Sequence, residues 1–188
     1  TTSVEITPSS NTTGGWTPGN TYTVTLTQGQ VYNVMGALKG TSTTCPGPAL
    51  TYLGEDLTGS YIKSVSTGGN CKKIAVFSGS GRISITANDC QGSSDNYMVQ
   101  SFPKSAWGKK YLTIPTAGTS GNMANNFFRI CVSNPATVVR VNGVIQTGLI
   151  GNFYYEIGPT ATPNLIESDL PITVAQYITT QGQFGNGS

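Results

Sequence analysis

The sequence predicts an all-β fold: two related β-sandwich-like (or blade-like) units of short antiparallel strands, stapled by disulfides. Three observations support this fold class. Apolar and hydroxyl residues alternate with a period of two, as in residues 21–27. Clusters of Gly, Pro, Ser, Asn and Thr separate the alternating runs. No segment of ten residues or more has the 3.6-residue periodicity of an amphipathic helix.

The strands are predicted one by one from this pattern. Residues 30–34 follow residues 21–27 after a tight connection at Gln28-Gly29. Residues 74–77 form a continuous apolar run, as in a strand covered on both faces, and residues 78–81 are predicted as the turn into a strand at 82–86. Asn142-Gly143 is a strong hairpin turn leading to residues 144–146. The remaining predicted strands are 111–114, 127–132, 137–141, 151–157 and 172–177.

A loose internal repeat predicts the domain organisation. Residues 3–8, 29–32 and 73–77 resemble residues 138–143, 151–154 and 171–177, in the same order. The first copy is longer, and its surplus falls around residues 39–55, which suggests an inserted loop held by a disulfide. We therefore predict a first unit at 1–136 and a shorter, truncated second unit at 137–188. A chance alignment of two β-rich stretches is the alternative, because β patterns are degenerate.

Composition excludes several classes of function. Only 10% of the 188 residues are charged, the formal net charge is +2, and there is no histidine. A Ser-His-Asp or Cys-His nucleophile and a His-ligated metal site therefore cannot be built. The ten Lys and Arg residues are too scattered for a nucleic-acid surface, and no apolar run approaches the ~20 residues of a membrane helix.

Four cysteines indicate the compartment: Cys45, Cys71, Cys90 and Cys131. Their number is even, and their spacing does not match C-x-x-C metal or redox motifs. Together with the low charge, this favours a secreted or cell-surface protein, with four buried thiols in a cytosolic protein as the alternative. The chain begins at Thr1 without a leader, as expected of a mature product or an excised fragment.

Candidate functional residues are few. Trp16, in a Gly- and Pro-rich loop, is the candidate for stacking on a sugar or a partner protein. Asp89 and Asp95 lie in an oxygen-rich stretch that suggests Ca²⁺, although an ordinary polar loop fits the composition better. A glycosidase needs two facing carboxylates, and the adjacent acids sit in turn-like contexts that do not favour one: Glu55, Asp56, Glu167 and Asp169. Trp107, beside Gly108, is predicted to pack structurally.

Four motifs, in order, carry a resemblance to a known family. They are Asp56-Leu-Thr-Gly-Ser-Tyr-Ile62, Cys71-Lys-Lys-Ile-Ala-Val-Phe-Ser-Gly-Ser80, Ser105-Ala-Trp-Gly-Lys-Lys-Tyr111 and Asp169-Leu-Pro-Ile-Thr-Val-Ala-Gln-Tyr177. The set resembles the N-terminal region of the IgGFc-binding protein family, in its bacterial, Bacteroidetes-like branch of large surface proteins. The resemblance spans about Val4 to Gly187.

The resemblance implies a non-enzymatic region of a long secreted or surface-anchored chain, in a family whose bacterial members often carry adhesin-like repeats and gliding-motility or secretion-sorting tails. The family domain continues past Tyr177, which agrees with a truncated chain. The family pattern pairs Cys71 with Cys90 and leaves Cys45 with Cys131, whereas the sequence itself allows three pairings. The resemblance assigns no ligand residue.

These observations predict an extracellular binding or adhesion module, not an enzyme. Its expected partners are a glycan or a surface protein and the neighbouring domains of the same chain, with no nucleic acid and no membrane insertion. No cofactor is expected, with Ca²⁺ as the open alternative. The rival functions are a structural spacer of a stalk or filament and a fragment of a carbohydrate-active enzyme.

Overall fold

The computed structural model describes residues 1–42, 51–65, 72–85, 95–118 and 121–180. Within these ranges the chain forms β-strands and a 3₁₀ turn at Lys104–Ala106, and the strand pairs of defined register are antiparallel. The all-β, antiparallel prediction is confirmed. The strands are β1 (Thr2–Thr7), β2 (Tyr22–Leu26), β3 (Leu38–Ser42), β4 (Thr51–Gly54), β5 (Tyr61–Val65), β6 (Phe77–Ile83), β7 (Asp95–Gln100), β8 (Gly108–Thr113), β9 (Asn126–Val132), β10 (Val139–Val141), β11 (Val144–Ile145), β12 (Tyr154–Thr160) and β13 (Asn164–Ile178).

The contacts of the chain divide it into two compact units, Thr1–Phe77 and Ser78–Ser188. The boundary suggested by the repeat, between residues 136 and 137, falls inside the second unit, between β9 and β10. Both of those strands belong to one sheet. These compact units differ from the units predicted from the repeat, 1–136 and 137–188, which stay a prediction.

The first unit is built on a three-stranded sheet in the order β2-β1-β5. Alternation in β1 places Val4 and Ile6 on one face, where both are buried. Val24 lies opposite Val4, and Ile62 lies opposite Ile6, so the same face continues across the sheet. Strands β3 and β4 form a separate hairpin.

The second unit contains a six-stranded sheet in the order β11-β10-β13-β9-β12, with β8 paired to β13. The core lies on one face of this sheet, where every second residue of β9 is buried. Its members are Ile130, Val132, Val139, Val141, Tyr155, Ile166 and Ile172. Strands β6 and β7 form a separate two-stranded sheet.

Most strand predictions agree with the structure within a few residues. Residues 21–27, 111–114, 127–132, 137–141, 151–157 and 172–177 overlap β2, β8, β9, β10, β12 and β13. The Asn142-Gly143 hairpin is confirmed: both residues have positive φ, 51° and 82°, as the turn between β10 and β11 requires. The strand predicted at 82–86 ends at Ile83, and residue 86 lies outside the described ranges.

The prediction around residues 74–81 is wrong. Residues 74–76 are irregular rather than a covered strand, and residues 78–81 lie within β6 rather than in a turn. Gly79 explains the difference, since a Cβ there would collide with the carbonyl oxygen of Tyr97. The glycine lets two backbones approach closely and does not mark a turn.

The strand predicted at residues 30–34 is also absent. Gln28-Gly29 does form the predicted tight turn, with Gly29 at φ 83° and a hydrogen bond of 3.1 Å from the Gln30 N–H to the Thr27 carbonyl. The chain then runs irregularly, because its backbone pairs with the loop after β1: the Thr13 N–H donates to the Met35 carbonyl. Of the three repeat landmarks, only 3–8 and 138–143 have three or more strand residues in both copies, since residues 73–77 contain only the first residue of β6.

Candidate functional site

The loop between β1 and β2 fixes Trp16 through its own backbone. Thr12 is buried, and its Oγ1 accepts a hydrogen bond of 3.0 Å from the Trp16 N–H. The Thr12 N–H donates to the Trp16 carbonyl, also at 3.0 Å. Gly15, at φ 79°, supplies the left-handed conformation between them. Trp16 is therefore presented by an ordered turn.

Trp16 is the centre of an aromatic stack. Its ring lies 4.6 Å from that of Tyr22, with planes 3° apart, and 5.8 Å from that of Tyr32, with planes 17° apart. The Tyr22 hydroxyl accepts a hydrogen bond of 2.9 Å from the Thr17 N–H and shares another with the Thr17 hydroxyl at 3.1 Å. These hydrogen bonds to Thr17 lower the pKa of Tyr22. Trp16 is half-buried and stacks on two tyrosines.

Two aliphatic side chains close in sequence to Tyr32, and the Tyr32 ring of the stack itself, are exposed to solvent. Val31 is 91% exposed, Met35 is 58% exposed and Tyr32 is 48% exposed. We call Val31, Tyr32 and Met35 the apolar tip. The sequence pattern does not reveal the tip, because it predicts a strand at residues 30–34. The available signal is that the apolar residues between Gly29 and Gly36 do not alternate strictly with polar ones.

Short hydrogen bonds hold the apolar tip in place. At its start, the Thr27 N–H donates to Oε1 of Gln30 at 2.8 Å. At its end, the Thr13 N–H donates to the Met35 carbonyl at 2.9 Å. Gly36 follows directly and packs against Glu55, whose carbonyl oxygen occupies the place of a Cβ. The tip is therefore supported at both ends before any ligand arrives.

The surroundings of the tip carry little charge. No Asp, Glu, Lys or Arg occurs from Ile6 to Leu38. Half-buried Glu55 lies at the base of the tip, where its N–H donates to the Ala37 carbonyl at 2.8 Å. The apolar tip can thus bury aliphatic and aromatic surface with few charged groups to desolvate.

Three of the four acids that a glycosidase would need form hydrogen bonds or ion pairs within the fold. Asp56 Oδ1 accepts hydrogen bonds from the N–H and the hydroxyl of Thr58. Glu167 and Asp169 lie in β13 and not in a turn. Glu167 pairs with Lys110 at 2.9 Å, and Asp169 Oδ1 accepts a hydrogen bond of 2.8 Å from the Val138 N–H. These contacts support turns and strand pairs.

The other candidate residues are only partly described. Asp95 is exposed at the start of β7, whereas Asp89 lies outside the described residues. Among the residues that the structure describes, no group of three or more His, Cys, Asp or Glu side chains could hold a metal ion. Cys131 is half-buried in β9, and the other three cysteines lie outside the described ranges. Both disulfides, and Ca²⁺ at Asp89 and Asp95, stay predictions.

Trp107 is half-buried, and its indole N–H donates to the Phe102 carbonyl at 3.3 Å. This contact is consistent with the structural packing expected for it. In the described part of the chain, no helix has the length and apolar character needed to cross a membrane.

Comparison with known proteins identifies the family. No curated protein and no solved structure matches the chain. A family model described as IgGFc binding protein matches residues 1–188, which is the whole chain. The bacterial branch named in the sequence analysis stays a prediction, but the resemblance to the family is thereby confirmed, and the chain belongs to the IgGFc-binding protein family.

Proposed function

We propose that the chain is a non-enzymatic, extracellular adhesion module of a large bacterial surface protein, and that it recognises a protein ligand through the apolar tip. Family membership supports the coarser statement of a non-catalytic binding module. The observation that carries the finer proposal is the pinned apolar tip, with Val31 91% exposed beside the half-exposed ring of Tyr32.

The composition of the tip favours a protein over a glycan. Tyr and Met are enriched at protein interfaces, and buried aromatic side chains often carry most of the binding energy. Val31 and Met35 offer no side-chain hydrogen-bond donor, which a sugar would need. The supports at both ends reduce the entropy lost on binding, since less chain has to be ordered.

The experiment is a binding screen of the full, oxidised chain against immunoglobulin G, mucins and polysaccharides. Immunoglobulin G is the first protein probe because the family model is named for its Fc region. Each probe is tested with and without Ca²⁺, and we expect saturable binding to a protein probe that does not depend on Ca²⁺. Saturable binding to polysaccharides alone would contradict a protein ligand and favour a glycan.

Two substitutions test the tip. Tyr32→Ala should weaken binding at least about thirtyfold, the loss typical of an interface hot spot. Tyr61→Ala is the matched control, because Tyr61 of β5 is 47% exposed against 48% for Tyr32 and lies outside the tip. Trp16→Ala should also weaken binding, by removing the ring on which Tyr32 stacks. If Tyr32→Ala binds like wild type while the probe still saturates, the apolar tip is not the site.

The structural-spacer alternative makes a different prediction. It expects contacts between copies or neighbouring domains and no soluble ligand. Exposed aliphatic side chains on the sheet of the second unit, such as Leu112 at 68%, favour such contacts in addition to ligand binding.

A further inference from the structure

One face of the second unit's sheet, away from the core, carries an ordered set of exposed and half-buried side chains. On β8 and β13, Leu112 lies directly opposite Leu165, and Lys110 lies directly opposite Glu167. Residues directly opposite each other share a face, and Ile166, between Leu165 and Glu167, points to the core. We call Lys110, Leu112, Leu165 and Glu167 the outer face.

The outer face is accessible and chemically mixed. Leu112 is 68% exposed, and the side chains of Lys110 and Glu167 are 67% and 39% exposed. The Lys110 Nζ lies 2.9 Å from Glu167 Oε1. Two rows therefore cross the strand pair: an aliphatic row of two leucines and, beside it, an ionic row of opposite charges. Such an apolar surface rimmed by charges is typical of an interaction site.

The arrangement of the two rows is self-complementary. Consider two copies whose outer faces meet, related by a two-fold axis that runs parallel to the strands, midway between β8 and β13. This axis places each residue of one copy opposite the other residue of the same row in the second copy. Leu112 of one copy then faces Leu165 of the other, and Lys110 faces Glu167. Sheets that pack face to face lie about 10 Å apart, which suits interdigitated leucines.

We propose that the outer face binds a second copy of this chain in an isologous, two-fold dimer. Charge complementarity favours a second copy over an unrelated partner. The ionic row contains one cation and one anion, so the same row on a second copy offers each of them an opposite charge, as an isologous interface requires. Arg140, which lies opposite Glu167 on β10, adds a second cation beside the ionic row. Ile145, opposite Arg140 on β11, is 56% exposed and ends the ionic row with an apolar side chain.

This dimer is independent of the proposed ligand site, because the outer face belongs to the second unit and the apolar tip belongs to the first. A dimer would display two apolar tips on one particle. It would raise the apparent affinity for a ligand surface without any new contact to the ligand.

Analytical ultracentrifugation of the full, oxidised chain tests the proposal. The average mass should rise with concentration from 19.6 kDa towards the dimer value. Leu112→Glu should raise the dimer dissociation constant at least about tenfold, because it buries two carboxylates at the two-fold contact. Val144→Glu is the matched control: Val144 is 65% exposed but lies opposite Val141, on the other face, and its variant should still dimerise.

A charge swap distinguishes this contact from general stickiness. Lys110→Glu and Glu167→Lys should each weaken the dimer, and the double variant should restore it, because the swapped row is again self-complementary. Circular dichroism shows whether each variant is folded. A monomer at all concentrations, or a dimer that Leu112→Glu leaves unchanged, would overturn the proposal.

Discussion

Asn142 shows how much local structure a single side chain can set. It adopts φ 51° ahead of Gly143, and its Oδ1 accepts a hydrogen bond of 2.9 Å from the Leu165 N–H. Its Nδ2 donates to Asn164 Oδ1, also at 2.9 Å. One residue therefore closes the β10–β11 turn and ties it to β13. The turn follows from the Asn-Gly dipeptide, whereas the contacts with β13 depend on the fold.

Tyr97 gives the protein a pH dependence at the residue scale. Burial, followed by the nearby Asp95 and Tyr177, raises the pKa of Tyr97. Because the unfolded chain then releases this proton more readily, the contribution of Tyr97 to stability is complete below pH ~10 and is lost as the pH rises further. Tyr97→Phe should therefore lose less stability between about pH 9 and 11 than wild type, measured by urea unfolding at each pH.

Tyr22 provides the matched comparison for Tyr97. The pKa of Tyr22 is lowered by its hydrogen bonds to Thr17, so its ionisation occurs at lower pH in the folded chain and favours folding there. Tyr22→Phe should consequently lose more stability than wild type over the same pH interval. Parallel changes in both variants would contradict the environments that the structure gives these two tyrosines.

Strand β13 illustrates what a sequence pattern reveals about a whole element. Residues 172–177 were predicted as a strand, but β13 begins at Asn164, eight residues earlier. The register of its pairing with β8 shifts between Glu167 and Ile172, where Pro171 cannot donate a ladder hydrogen bond. A strand that changes partners midway cannot show one uniform alternation, so its first half was not recognisable.

Strand β9 depends on a buried polar residue at its first position. Asn126 is fully buried, and its Oδ1 accepts hydrogen bonds of 2.8 Å from the Thr116 N–H and 2.7 Å from Gln176 Nε2. Asn126→Ala removes the acceptor of the half-buried Thr116 N–H and one of the two acceptors of the Gln176 amide, at a cost of about 1–3 kcal/mol. We expect that loss in the free energy of unfolding, measured by urea denaturation.

The control for Asn126 is Asn96→Ala, because Asn96 is an exposed asparagine of β7. It should change the free energy of unfolding by less than about 0.5 kcal/mol. If the free energy of unfolding of Asn126→Ala equals that of the control, the hydrogen bonds of Asn126 do not stabilise β9.

At the scale of the whole molecule, fold class and family were predictable, and the geometry of the candidate site was predictable only in part. Alternation and turn residues are local properties, so they indicated an all-β chain. Trp16 was found from its Gly-rich loop, but its stacking on Tyr22 and Tyr32 joins residues from separate elements. The apolar tip was missed because the backbone pairing of Met35 with Thr13 replaces a strand that the local pattern favoured.

The sparse charge of the chain leads to a prediction about binding in salt. The 188 residues carry ten Lys and Arg against eight Asp and Glu, and the segment from Ile6 to Leu38, which includes the apolar tip, has none. Salt weakens attraction between exposed charges and has little effect on apolar burial. The affinity of the tip for its protein ligand should change less than about twofold between roughly 0.05 and 0.5 M NaCl. Titration calorimetry at several salt concentrations measures the dissociation constant of the complex. A steep loss of affinity would instead place the ligand on charged strands, such as β8 with Lys109 and Lys110, and would separate ligand recognition from the tip.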